Sequence, residues 1–230
     1  MKMIRMVWDV LYPLIMDKFT RERQGKVVDN VLVEKRYYGM GLCERKMEGM
    51  GHIVICNHLH ALDALMIREN LDGWVISKSN LADGNIFYKM FEWRVQSAYR
   101  SIPYERGNLR SGEIVKEKIM EKIDVGENVI IFPEGNCKYN HQDGLLPLKK
   151  GIIYLSYERR VPIVILTVWY NNLEFGQGGH HSFSLRRTLG MDVSGELYYE
   201  EVVYPVDFGS FEEYYDYISE NMNWNAIIKN

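Results

Sequence analysis

Residues 52–56 (HIVIC), 74–77 (WVIS), 128–132 (NVIIF) and 161–168 (VPIVILTV) form short, β-branched apolar runs in an otherwise mixed chain. Each is too short and too uniformly apolar for a surface helix, so each is expected to be a buried strand. Between them lie segments with helical spacing. Residues 61–70 form one, and residues 111–123 (SGEIVKEKIMEKI) form another, with Ile114, Val115, Lys118, Ile119 and Ile123 marking a stripe opposite Lys and Glu. Gly126, just beyond, is the expected helix stop. Strands alternating with helices imply an α/β fold, a mixed but mostly parallel sheet flanked by helices, with its active groups at the carboxyl ends of strands.

No repeat, low-complexity run or Pro/Gly-rich linker divides the 230 residues, so a single domain spanning 1–230 is expected. The stretch 1–19 (MKMIRMVWDVLYPLIMDKF) is apolar, but Arg5, Asp9 and Pro13 interrupt it well short of the roughly 20 residues that cross a bilayer. Asp9 and the lack of a small-residue cleavage site also disfavour a signal peptide. Residues 1–35 read either as a helical segment at a membrane interface, with Trp8, Tyr12 and flanking Lys and Arg at the headgroups, or as an ordinary amphipathic helix packed on the domain.

Charge then narrows the partners. With 28 Lys+Arg against 31 Asp+Glu, the net charge of −3 offers no basic excess for nucleic acid. Cys43, Cys56 and Cys137 are odd in number and lack CxxC spacing, which suggests neither a disulfide framework nor a zinc site and fits a reducing compartment. The six histidines contain no His-Glu-x-x-His arrangement, and no metal is expected.

The candidate chemistry follows the apolar runs. Directly after HIVIC comes Asn57-His58-Leu59-His60-Ala61-Leu62-Asp63. On one regular helix, His58 and Asp63 would point about 140° apart, so they can meet only if His58 lies in the turn and Asp63 opens the helix. The carboxylate would then fix the imidazole tautomer and leave the other nitrogen as a general base. Without that geometry they are two solvated loop residues. A second cluster, Phe132-Pro133-Glu134-Gly135-Asn136, ends another strand, where Pro133 and Gly135 should stop it and expose Glu134. A third runs from Arg100 to Asn108, with Arg106 either a phosphate fork or a surface charge. Cys137 beside Glu134 offers a thiol nucleophile or a small packed hydrophobe, and His60 competes with His58 for Asp63.

Together these residues resemble the glycerolipid acyltransferases typified by 1-acylglycerol-3-phosphate acyltransferase. The resemblance rests on Asn57-His58 through Asp63, Trp74 to Lys78, Ile102 to Arg106, Phe132 to Gly135 and Val161 to Val164, in order over roughly residues 50–170. It implies a glycerol-3-phosphate-acyltransferase-like fold. It also implies acyl transfer from acyl-CoA or acyl carrier protein, as co-substrate, to a lysophospholipid hydroxyl, without cofactor or covalent enzyme intermediate. The first expectation is conversion of 1-acylglycerol-3-phosphate to phosphatidic acid by a membrane-associated enzyme with a cytoplasm-facing site. A peripheral lipid-binding module without turnover is the alternative.

In that resemblance His58 is the base and Asp63 its orienting partner, Arg106 holds the acceptor phosphate, and Glu134 with Gly135 shapes the acceptor site. Lys78 reads as an anion-binding residue or a surface lysine. The third block departs from the family's Glu-Gly-Thr-Arg-Ser, continuing Asn136-Cys137-Lys138; Lys138 would supply a point cation where the arginine's bidentate fork is lost. Arg100 stands where a glycine is common, adding a positive charge or altering the loop.

Overall fold

All the apolar runs are strands of one seven-stranded sheet in the computed structural model, which describes residues 32, 34–39, 41–42, 49–59, 63–78, 100–105, 107–136, 145–171 and 194–228, with side chains omitted at 78, 171 and 223–228. In chain order the elements are β1 (Glu34–Tyr38), β2 (Ile53–Cys56), α1 (Asp63–Asn70), β3 (Trp74–Lys78), β4 (Ser101–Tyr104), α2 (Leu109–Asp124), β5 (Val129–Ile131), α3 (Lys150–Arg159), β6 (Ile163–Asn171), β7 (Ser194–Val203) and α4 (Phe211–Ile228). The spatial order is β1-β7-β6-β2-β5-β3-β4. From β6 to β4 every pairing is parallel, and β7 joins β6 antiparallel, carrying β1 with it. The expected mixed, mostly parallel α/β sheet is therefore present.

Alternate residues of the central strands feed two apolar layers, which is why those strands are apolar throughout. Val54, Cys56, Ile130, Val164 and Leu166 pack with Met66 and Ile67 of α1. Ile53, Ile55, Val129, Ile163 and Ile165 face the other way, toward α2 (Val115, Ile119), α3 (Ile152, Ile153) and α4 (Tyr214, Ile218). Thus α1 covers one face and the other three helices cover the opposite one.

Helix α2 shows how local sequence sets its ends. Asn108 caps it by accepting from Ser111 N at 3.2 Å. At the other end Gly126 takes a positive φ of 81°, with Gly126 N bonded to Ile123 O and Glu127 N to Lys122 O, a Schellman stop. The stripe is narrower than expected, because Ile114 is 43 % exposed while Val115, Ile119 and Ile123 are buried.

This connectivity is the kind that leaves a crevice between strand ends in α/β sheets. The chain leaving β2 enters α1 on one face and goes on to β3, whereas the chain leaving the neighbouring β5 enters α3 on the opposite face and returns to β6. The two connections diverge at the carboxyl ends of β2 and β5, the kind of switch point where α/β sheets bind ligands. Of residues 1–35, where a helical segment at an interface or packed on the domain is expected, 1–31 and 33 lie outside the described residues, while Glu34 and Lys35 open β1 and belong to a strand. Among the described residues no helix is long and apolar enough to cross a membrane.

Candidate active site

At the end of β2 the parallel ladder to β6 stops at Cys56. The Asn57 side chain then takes over: its amide donates to Val168 O at 2.9 Å and accepts from Val168 N at 2.7 Å. A buried side chain thus satisfies backbone groups of β6 that would otherwise be left unpaired. The main chain is free to turn out of the sheet, and His58 follows in that turn.

His58 Nδ1 lies 2.9 Å from Asp63 Oδ2, with Asp63 in the first turn of α1, so the spacing produces the expected pair. Leu59 N donates to the same oxygen at 2.7 Å, and the Tyr170 hydroxyl donates to Oδ1 at 2.8 Å. Asp63 is fully buried, whereas the His58 side chain keeps 20 % of its exposure, so the pair runs from the core to the crevice. Because an ionised carboxylate only accepts, Nδ1 carries the proton and Nε2 is the basic nitrogen.

Glu134 reaches the same place from β5. Phe132, Pro133, Glu134 and Gly135 form a turn closed by Gly135 N to Phe132 O at 3.0 Å, with Gly135 at a positive φ of 72° that favours glycine. The expectation that this turn exposes Glu134 is corrected: it is 2 % exposed. Its carboxylate accepts from His58 N and from Leu146 N, each at 2.8 Å, tying the β2 turn to the segment that leads into α3. Backbone N–H donors make burial of this charge tolerable. The His58 ring also stacks on Phe132, with centroids 4.2 Å apart, which restricts its rotation.

Other expected site residues fall differently. Asn136 is exposed beside Gly135 at the end of the turn. Lys78 ends β3, at the carboxyl edge of the sheet, but its side chain lies outside the described residues, as do Arg106, Lys138, His60 and Cys137. Arg100 sits at the opposite edge, preceding β4, and pairs with Asp72 at 2.7 Å. Its φ of 47° is the left-handed conformation in which glycine would be at ease, so this arginine alters the loop and adds no charge near His58. Cys56 is fully buried; burial foremost, then the charge of Asp63, pushes its thiol well above the ordinary range and keeps it unreactive. Among the described residues no group of three His, Cys, Asp or Glu is placed to hold a metal ion.

No sequence pattern marks Tyr170, and the Phe132 to Gly135 block gives no sign that the Phe132 ring stacks on His58. The only signal for Tyr170 is a polar-tipped aromatic near the end of a buried strand, a pattern also found in ordinary cores.

A family model described as Acyltransferase matches residues 42–171, more than half of the chain, and the protein belongs to that family. A curated relative from Cocos nucifera, named 1-acyl-sn-glycerol-3-phosphate acyltransferase, is 26 % identical over 174 residues, covering 71 % of this chain and 54 % of the relative. The chain thus spans about half the length of that relative. The crystal structure of the 1-acyl-sn-glycerophosphate (LPA) acyltransferase PlsC from Thermotoga maritima matches with a TM-score of 0.64 at 19 % identity, covering 98 % of this chain and 91 % of that one. That likeness establishes a shared fold.

Proposed function

We propose that this protein transfers an acyl group from an acyl thioester, acyl-CoA or acyl carrier protein, to the free hydroxyl of a lysophospholipid, with 1-acylglycerol-3-phosphate giving phosphatidic acid as its reaction. The observation that carries this reading is the 2.9 Å contact between His58 Nδ1 and Asp63 Oδ2 at the crevice. His58 Nε2 removes the proton of the acceptor hydroxyl as its oxygen attacks the thioester carbonyl. The tetrahedral intermediate collapses with cleavage of the C–S bond, and the thiol leaves with the proton returned by the imidazolium. No covalent enzyme intermediate or cofactor enters this scheme.

Asp63 fixes the tautomer and stabilises the imidazolium that forms, the role an aspartate takes beside a histidine base. Glu134 holds the histidine turn against the acceptor side, with Gly135 and Asn136 at its rim. Arg106 is assigned to the acceptor phosphate, with Lys78 and Lys138 as further cations for it. General-base catalysis supplies on the order of a hundred- to ten-thousand-fold, and positioning of the two substrates supplies much of the rest. Since acceptor and product are lipids, the enzyme works at a membrane surface, with its site on the cytoplasmic side.

The test is an incubation of purified protein and lysolipid-containing vesicles with acyl-CoA, following thiol release and phosphatidic acid. Matching amounts of both support the reading. Thiol release with another lysolipid but not with 1-acylglycerol-3-phosphate would replace the acceptor, and the altered third block would then be the residue-level reason.

A further inference from the structure

The carboxylate that orients His58 is itself held from a distant strand. Tyr170, on β6, is 3 % exposed and donates to Asp63 Oδ1 at 2.8 Å, while Oδ2 receives His58 Nδ1 and Leu59 N. Burial foremost, and then the charge of Asp63, pushes the phenol well above its ordinary range, so it remains a protonated donor. The contact bridges 107 residues of sequence and joins β6 to the first turn of α1, so it is no by-product of local geometry.

Building on the acyl-transfer reading above, we propose that Tyr170 is a positioning residue for that reaction: its hydroxyl fixes the plane of the Asp63 carboxylate so that Oδ2 meets His58 Nδ1. A carboxylate gripped less firmly at Oδ1 pivots more freely about its own axis, carrying the Oδ2 lone pair out of line with the imidazole N–H. A donor on Oδ1 removes that freedom and keeps the base aimed into the crevice. The side chain is placed for this task because Tyr170 pairs with Gly195 of β7 and lies two residues beyond Val168, which the Asn57 side chain holds from the other side.

The test is Tyr170→Phe, which removes one oxygen and keeps the ring. The variant is expected to lower kcat by roughly ten-fold at unchanged KM, as loss of a hydrogen bond to a charged group predicts. In an Asp63→Asn background the same change should alter kcat by less than about two-fold, since Tyr170 acts through that carboxylate. In protein labelled with 15N-histidine, the His58 Nδ1–H resonance, assigned by its absence in His58→Ala, should move or broaden in Tyr170→Phe.

An unmoved resonance with a wild-type kcat would overturn the proposal, as would an equal loss of kcat in both backgrounds. Should wild-type protein acylate no lysolipid, a displaced resonance would still uphold the positioning contact, while the acyl-transfer reading itself would fall.

Discussion

Replacing Glu134 by Gln preserves the side-chain shape and exchanges one acceptor oxygen for a donor, so either His58 N or Leu146 N loses its partner in the interior. Leaving a buried donor unsatisfied costs about 2 kcal/mol. Glu134→Gln should show that loss in urea unfolding, together with reduced acyl transfer, because the turn bearing His58 is no longer strapped. His52, at the other end of β2, behaves differently. It is fully buried, donates through Nδ1 to Met50 O at 2.9 Å, and its Nε2 has no hydrogen-bond partner among the described residues. Burial lowers its pKa from the ordinary 6.5, so the folded state resists a proton that the unfolded chain accepts. Its contribution to stability is present in full above pH 6.5 and is lost as the pH falls from there toward the lowered folded value. Unfolding measured between about pH 7.5 and pH 5.5 should therefore weaken more in wild type than in His52→Phe. At this scale, His58 and Asp63 are legible in the sequence because their spacing has one workable geometry. The burial of Glu134 and the role of Tyr170 are not, because their partners lie 76 and 107 residues away.

The elements themselves divide by how their stability arises. The central strands and α2 announce themselves through continuous apolar runs and a helical stripe, since burial alone selects them. Strands β1 (EKRYY) and β7 (SGELYYEEVV) carry no such signal. They are held by pairing with each other and with β6, and by surface contacts such as Arg36 with Glu196 and the stack of Tyr38 on Tyr198. The aromatic C-terminal region, open from sequence to either an interface or packing, is at least partly core: Tyr214 is fully buried and shares a hydrogen bond with Ser156 at 2.7 Å. Packing between elements also explains a glycine that sequence alone leaves unremarkable. A Cβ on Gly51 would lie 2.5 Å from Ile123 O and 2.7 Å from Glu127 O, where the end of α2 crosses the start of β2. Gly51→Ala should therefore destabilise the fold by about 2 kcal/mol or more, read from the urea midpoint.

For the whole molecule, strand order decides where the chemistry sits. Neither the insertion of β5 between β2 and β3 nor the divergence of α1 and α3 to opposite faces can be read along the chain, because parallel pairing joins residues far apart in sequence. Yet that divergence creates the crevice in which the histidine turn and the Glu134 turn meet. The proposed reaction draws its catalytic groups from those turns, and turnover is expected to be unchanged by a strong chelator. The most direct test of the account compares wild type with His58→Ala, using acyl-CoA and 1-acylglycerol-3-phosphate in vesicles. The account predicts a fall in kcat of roughly a hundred- to ten-thousand-fold with the fold intact. Phosphatidic acid formed by the variant at the wild-type rate would contradict it.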